Sequence, residues 1–317
     1  MMRIILILLV LPAYLPLNAQ DAIGYFNNLQ QALKNPEQVK YLNLSSNGMD
    51  KIPAEILQFK NLQRLDMGDN DIAVIPDFIG ELKYLEYLRL DNNPIEKFPV
   101  SLFTLTQLRH LRSKGNRLTE LPSQIDQLGN LTILDLEGNN INSLPDALCN
   151  LRRLQVINLI SNRIDQLPER FGNLDDIRTV LLVNNRINQL PSSIQNLRYL
   201  EALHLSGNRI KSLAFLYKLK SLKYLRLENN EVDNMTAEIG QLENLIDLNI
   251  SHNKLDALPF EQLLKLKRLS SLQYEEGNNF TPQYKLKLRR YFRKRYPAPR
   301  QQRAVQPRQP VFPRRAS

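Results

Sequence analysis

Cysteine occurs once in these 317 residues, at Cys149, and histidine only three times. A single thiol excludes an internal disulfide. No Gly-rich phosphate loop, H-E-x-x-H pair or nucleophile elbow is present, so the common sequence signs of nucleotide, zinc-protease and esterase chemistry are missing. Long apolar runs are scarce too. The one near the N-terminus is broken by Pro12 and Pro16 and falls short of the ~20 residues that span a bilayer. Acidic residues vanish from Gly277 onward, where twelve Lys or Arg stand alone. The formal charge of +10 therefore belongs to the C-terminal region, and everything before Gly277 sums to −2.

What is abundant is repetition. An asparagine recurs every 23 residues at Asn47, Asn70, Asn93, Asn116, Asn139, Asn162, Asn185 and Asn208, then at Asn230 after a step of 22 and at Asn253. Each sits in the pattern L-x-x-L-x-L-x-x-N-x-[LIVM]-x-x-[LIFM]-P-x-x-[ILF]-x-x-L, as in LTILDLEGNNINSLPDALCNL from Leu131 to Leu151. An eleventh copy, starting at Leu269, carries one extra residue before Asn278. The eighth loses its proline and accounts for the 22-residue step.

Alternation in LxxLxLxxN marks a short strand, with the first, fourth and sixth residues facing a core. A single copy cannot bury that face, so copies must stack. The asparagine is expected to be a buried amide that satisfies turn groups of adjacent coils. The proline marks the exit from the turn, and the residues after it are expected to form a short helical or 3₁₀ segment on the outer side.

This pattern, from Val39 to Phe280, resembles the leucine-rich repeat family. Its LPxxIxxL half resembles the subclass of Shoc2-type Ras-pathway scaffolds and of many exported bacterial proteins. The resemblance implies an α/β solenoid with a parallel sheet on the concave face, and partner binding there. Animal extracellular members usually carry cysteine-stapled caps. Their absence here favours a bacterial periplasmic or secreted setting.

The segments outside the repeats can be divided accordingly. Residues 1–19 combine Arg3, an apolar run and Leu17-Asn-Ala19, which is the layout of a signal peptide cut after Ala19. Residues 20–38 are expected to form a helical cap, with Ile23, Phe26, Leu29 and Leu33 on one face and Pro36 ending it. Residues 39–280 hold the repeats. A capping helix is expected over 281–296, with Thr281 as its N-cap, Pro282 in its first turn, and Leu286, Leu288, Tyr291 and Phe292 covering the last coil. Residues 297–317, rich in Pro, Arg and Gln, are expected to lack a fold of their own. Such a tail is either a solvated terminus or a weak polyanion-binding arm. Cys149 is expected to be a surface thiol on the outer side, because Gln195 occupies the equivalent place.

The stretch IRTVLLVNN, Ile177 to Asn185, departs from the alternation. Val180 and Leu182 belong to core positions, which leaves Leu181 and Val183 on the concave surface. Read down the outward positions, Ile133, Val156, Ile160, Leu181 and Val183 form an apolar strip pointing to solvent. Arg89, Arg112, His204, Tyr224 and Arg226 flank it as a polar rim. The strip is either the centre of a partner site or the ordinary taste of strands for aliphatic residues. His110 and His204 lie four coils apart, ~19 Å at ~4.8 Å per strand, and share no metal. Asp135 and Glu137 face Arg112 and Lys114, a charge ladder rather than a catalytic pair.

The sequence therefore reads as a non-catalytic, exported binding module for a protein or extended peptide. It predicts no cofactor, no metal, no small-molecule substrate and no membrane span in the mature chain. The alternative is an intracellular scaffold of the Shoc2 kind, which requires residues 1–19 to be retained. N-terminal sequencing of the native protein is expected to begin near Gln20; a cytosolic protein that keeps Met1 would overturn export.

Overall fold

Three consecutive residues of each repeat adopt extended backbone, and the third, fifth and seventh positions leave the core as the alternation requires. The computed structural model describes residues 24–292. The expected signal peptide at 1–19 and the tail at 297–317 lie outside the described residues, as do residues 20–23 and 293–296 of the two caps. Twelve parallel strands form one open sheet in chain order. They are β1 (Tyr25–Phe26), β2 (Tyr41–Asn43), β3 (Arg64–Asp66), β4 (Tyr87–Arg89), β5 (His110–Arg112), β6 (Ile133–Asp135), β7 (Val156–Asn158), β8 (Thr179–Leu181), β9 (Ala202–His204), β10 (Tyr224–Arg226), β11 (Asp247–Asn249) and β12 (Ser271–Gln273). Register is constant: Leu134 pairs with Leu111 on one side and Ile157 on the other. The 22-residue step leaves it intact, since Tyr224 still pairs with Ala202. The missing residue is taken up on the convex side, where the 3₁₀ turn Leu216–Lys218 is two residues shorter than Asp146–Asn150.

The convex side follows from proline. Pro145, with φ −71° and ψ 147°, is extended and launches the 3₁₀ turn behind it. That turn buries Leu148 against one core that runs unbroken from Ala32 to Phe292. Cys149 corrects the surface expectation, because it is fully buried. Adjacent 3₁₀ turns pack closely enough to turn in two residues, and Phe103 occupies the same buried place. Burial, then Asp146, pushes the thiol up to about 11, which leaves it protonated and unreactive.

The asparagines tie coil to coil. Asn139 Nδ2 donates to Ser113 O of the preceding coil (2.8 Å) and to Leu136 O (2.9 Å). Its Oδ1 accepts from Leu118 N at 3.0 Å. The same arrangement holds at Asn70, Asn93, Asn116, Asn162, Asn185, Asn208, Asn230, Asn253 and Asn278, all buried. Asn47 departs from the expected ladder. It is exposed, and its Nδ2 donates only to Ser45 O, within its own turn. The reason lies one step earlier: β1 is followed by a helix rather than by a turn whose carbonyls could cover Asn47.

Before each asparagine the backbone turns through the left-handed region. Asp69, Asn92, Gly115, Gly138, Ser161, Asn184, Gly207, Asn229 and His252 hold φ between 53° and 69°. Gly, Asn and Asp accept this conformation at least cost, which is why they dominate the eighth position.

The caps differ from expectation in detail. In place of one long helix, β1 extends the sheet and α1 (Leu29–Ala32) adds a single turn, capped by Asn28, whose Oδ1 accepts from Gln31 N at 3.0 Å. Near the other end, α2 (Phe260–Lys265) replaces a 3₁₀ turn, and α3 (Pro282–Phe292) closes the last coil. Thr281 Oγ1 accepts from Tyr284 N at 3.2 Å, as an N-cap does. Leu288 and Phe292 are buried, but Leu286 and Tyr291 remain 53% and 46% exposed, because the apolar stripe on α3 is only two residues wide.

Asn139→Ala leaves the Leu118 amide and two carbonyls without their partner, at an expected cost of ~1–3 kcal/mol. Asn47→Ala, on an exposed side chain, is expected to cost far less. Urea melts of the two variants check the difference, and equal midpoints would overturn the ladder.

Candidate functional site

The inter-strand register lays the outward residues in three rows across the concave face. The third-position row includes Tyr87, His110, Ile133, Val156, Thr179, Ala202 and Tyr224. The fifth-position row includes Arg89, Arg112, Asp135, Asn158, Leu181, His204 and Arg226 in the same pairings. The seventh-position residues cross over: Asp91 meets Arg112 of the next strand (3.1 Å) and Glu137 meets Asn158 of the next (3.1 Å).

From β3 to β6 the face is a charge network in which the carboxylates are bridged and, among its described residues, Arg112 Nε alone is buried without a hydrogen bond. Arg89 bridges Asp66 (3.1 Å), Asp69 (2.8 Å) and Asp91 (2.8 Å). Arg112 bridges Asp91 and reaches Asp135 at 3.8 Å, while Lys114 holds Glu137 at 2.8 Å. Burial holds the Asp135 carboxyl above its ordinary range, against the pull of Arg112. Pairs fully exposed to water contribute ~0–1 kcal/mol each, but Asp91 is buried and takes Arg89, Arg112 and the Lys114 N–H together. At this end Arg89, Arg112 and Lys114 are engaged by carboxylates of the same face.

At the centre lies the apolar strip. Ile133, Val156, Ile160, Leu181 and Val183 occupy the concave rows, and none belongs to the main core. Their exposure corrects the sequence reading. Leu181 is 1% exposed, Ile133 and Val156 are also buried, and only Ile160 and Val183 are partly open. Leu181 sits in register between Asn158 and His204, one strand away on either side. Parallel strands ~4.8 Å apart on a concave surface bring such side chains into mutual cover. The strip is a second apolar layer lying on the sheet, with Val183 and Ile160 as its open edge.

Past the strip, the rim residues fall into two kinds. Arg226 pairs with Asp247 at 3.0 Å, and Tyr224 is half-buried beside it. His204 is buried rather than rim-like. Burial, then Arg226, lowers its imidazole to about 4, so it is neutral at pH 7. His110 is held at about 4 by burial and by Arg64, Arg109 and Arg112.

Thr179, Ser206 and Asp247 escaped the sequence reading, and Glu228 was legible only as an outward polar residue. Among the described residues, Thr179, Ser206, Glu228 and Asp247 each keep one buried oxygen without a hydrogen-bond partner. Their row positions were legible; their lack of partners depends on three-dimensional neighbours. Among the described residues no group of three or more His, Cys, Asp or Glu is placed to hold a metal, and no helix is long and apolar enough to cross a membrane.

The histidines generate a pH dependence. Their folded pKa of about 4 lies below the ordinary 6.5, so the unfolded chain binds more protons between these values. The stability contributed by the neutral rings is present above pH 6.5 and is lost as pH falls toward 4. Urea midpoints should drop over that window, and His204→Gln should flatten the drop. An unchanged slope in the variant would show that His204 is solvated.

Two family profiles match the chain: "Leucine-rich repeat region" over residues 100–174, and "Leucine Rich repeats (2 copies)" over 60–102 and 200–237. No curated protein sequence matches it. Among solved structures, a leucine-rich repeat protein of Leptospira interrogans is 24% identical, with TM-score 0.50, covering 85% of this chain and 98% of its own. The ectodomain of the Arabidopsis thaliana membrane receptor kinase GASSHO1/SCHENGEN3, solved in complex with CASPARIAN STRIP INTEGRITY FACTOR 2, is 25% identical, with TM-score 0.59 over 78% of this chain. This chain spans 36% of that ectodomain. An internalin of Listeria monocytogenes is 22% identical, with TM-score 0.50, covering 80% of this chain and 87% of its own. The stacked coils, their constant register and these matches converge on one conclusion: the chain belongs to the leucine-rich repeat family.

Proposed function

We propose that this protein is an exported, non-catalytic binding module that holds a protein or an extended peptide on its concave sheet. The observation that carries the reading is the apolar layer at the centre of that face, open at Ile160 and Val183 and bordered by polar groups on both sides. An interface core with a polar rim has this composition. Arg89, Arg112, Tyr224 and Arg226 form the border, while His204 belongs to the buried layer itself. Support comes also from the receptor ectodomain above, which is similar in fold and was solved with a bound factor. Export rests on the layout of residues 1–19. A cationic contact between the tail and a polyanion is compatible with this reading but is not needed for it.

Val183 is the residue that separates the two interpretations of the strip. Because it is partly open whereas Leu181 is 1% exposed, Val183→Asp places a charge on the surface, and Leu181→Asp buries one. Val183→Asp is expected to keep the urea midpoint of the wild type and to lose at least tenfold in capture of the natural partner from its source. Leu181→Asp is expected to lower the midpoint. A Val183→Asp protein that folds and captures the partner undiminished would reduce the strip to strand chemistry.

A further inference from the structure

The polar groups of the concave face divide into those already paired and those that are not. From β3 to β6 the charges bridge one another. Among the described residues, Thr179 Oγ1, Ser206 Oγ, Glu228 Oε2 and Asp247 Oδ1, from β8 to β11, are buried without a hydrogen-bond partner, as is Arg112 Nε on β5. Ser206 and Glu228 hold the seventh position of adjacent coils, in the row of Val183, whereas Thr179 and Asp247 hold the third. Orphaned buried oxygens are rare, and the adjacent pair at Ser206 and Glu228, beside Val183, marks where a ligand supplies the missing partners. The Glu228 carboxylate only accepts, so the ligand must bring donors and positive charge. The adjoining Leu181 and Val183 ask for an apolar side chain. Their coil and that of Glu228 are two strands apart, ~9.6 Å.

The C-terminal segment of the chain has this chemistry. It holds Val-x-Pro-Arg twice, at Val305–Arg308 and Val311–Arg314, with no acidic residue anywhere in it. Proline favours the polyproline II conformation, which has three residues per turn and rises ~3.1 Å per residue. In that conformation a valine and the arginine three residues later would lie on one side, ~9.3 Å apart, close to the spacing of the two subsites. A polyproline II strand makes no internal hydrogen bonds, so its backbone amides would be available to Ser206, which lies between Val183 and Glu228 in the same row. Twelve residues separate Phe292 from Val305. They can extend roughly 40 Å at ~3.3 Å each, against ~19 Å from β12 to β8.

We propose that this C-terminal segment docks on the chain's own concave face between β8 and β10. It places a valine on the Leu181–Val183 strip and the arginine three residues later against Glu228. The inference rests on the concave face being the binding surface, and it makes that surface self-occupied until a partner displaces the segment.

The test uses the full chain and a synthetic peptide of residues 303–315, RAVQPRQPVFPRR, with affinity read by titration calorimetry. Arg308→Ala with Arg314→Ala in the full chain should free the groove, so that the variant binds the peptide at least tenfold more tightly than the wild type. Adding Glu228→Gln or Val183→Asp to that variant should reverse the gain, whereas Glu137→Gln, whose carboxylate is held by Lys114 and Asn158, should change affinity less than twofold. Urea midpoints establish that each variant is folded. Equal affinity in the wild type and the double variant overturns the proposal, as does no binding to either. A scrambled peptide that binds equally well overturns it in favour of a polycation effect. A wild-type dimer that becomes a monomer on the double substitution also overturns it, by assigning the groove to a second copy. Loss with Val183→Asp but not with Glu228→Gln sinks this inference and leaves the concave binding surface standing.

Discussion

The carboxamide of the buried asparagine is the interaction on which the rest of the structure depends. A sharp turn after each strand leaves backbone amides and carbonyls pointing inward, where no solvent reaches them. One asparagine supplies donors to carbonyls of its own turn and of the preceding coil, and an acceptor to an amide in that coil. Buried polar groups left unmatched cost on the order of 1–3 kcal/mol each. The repetition of this bond makes the stacking of coils, rather than any single coil, the stable unit. It also holds the strands in constant register, which is the condition for rows of outward residues to exist.

Those rows convert a one-dimensional repeat into a patterned surface. Along each row the chemistry changes from charge network, to apolar layer, to orphaned hydroxyls and carboxylates. The change is possible because the outward positions do not hold the fold together, whereas the leucines and asparagines beneath them do. Curvature adds a second effect. On the concave side neighbouring side chains converge, so an apolar residue there becomes buried without joining the core, as Leu181 does. On the convex side the 3₁₀ turns pack tightly enough to enclose Cys149, which lies on the outside of the coil and still has no exposed surface.

Several features were legible from residue spacing alone. The 23-residue period, the strand alternation and the proline after each turn dictated coil number, register and the location of the 3₁₀ turns. Val180 and Leu182 were assignable to the core, and Leu181 and Val183 to the concave face, because the period of a strand is two. The left-handed eighth position was visible in its Gly, Asn, Asp and Ser residues, though its meaning was missed. The N-terminal cap was not legible. Phe26, Leu29 and Leu33 fit a helical spacing, yet β1 forms at Tyr25–Phe26 because the open edge of the sheet offers backbone partners that outweigh local preference.

What the sequence by itself determined is therefore the repeat: which side chains face inward, where each turn falls and which residue carries each amide bond. Tertiary structure alone decided how much of each outward residue remains accessible and which polar atoms find partners. The two differ for a physical reason. Inward positions are set by periodicity within one coil, a property of neighbouring residues in the chain. Exposure and hydrogen-bond satisfaction depend on residues 21 to 26 positions away, brought alongside only when the coils stack and curve. That is why Asn47 is exposed while its repeat equivalents are buried. It is also why the oxygens of Thr179, Ser206 and Glu228 left no mark in the pattern.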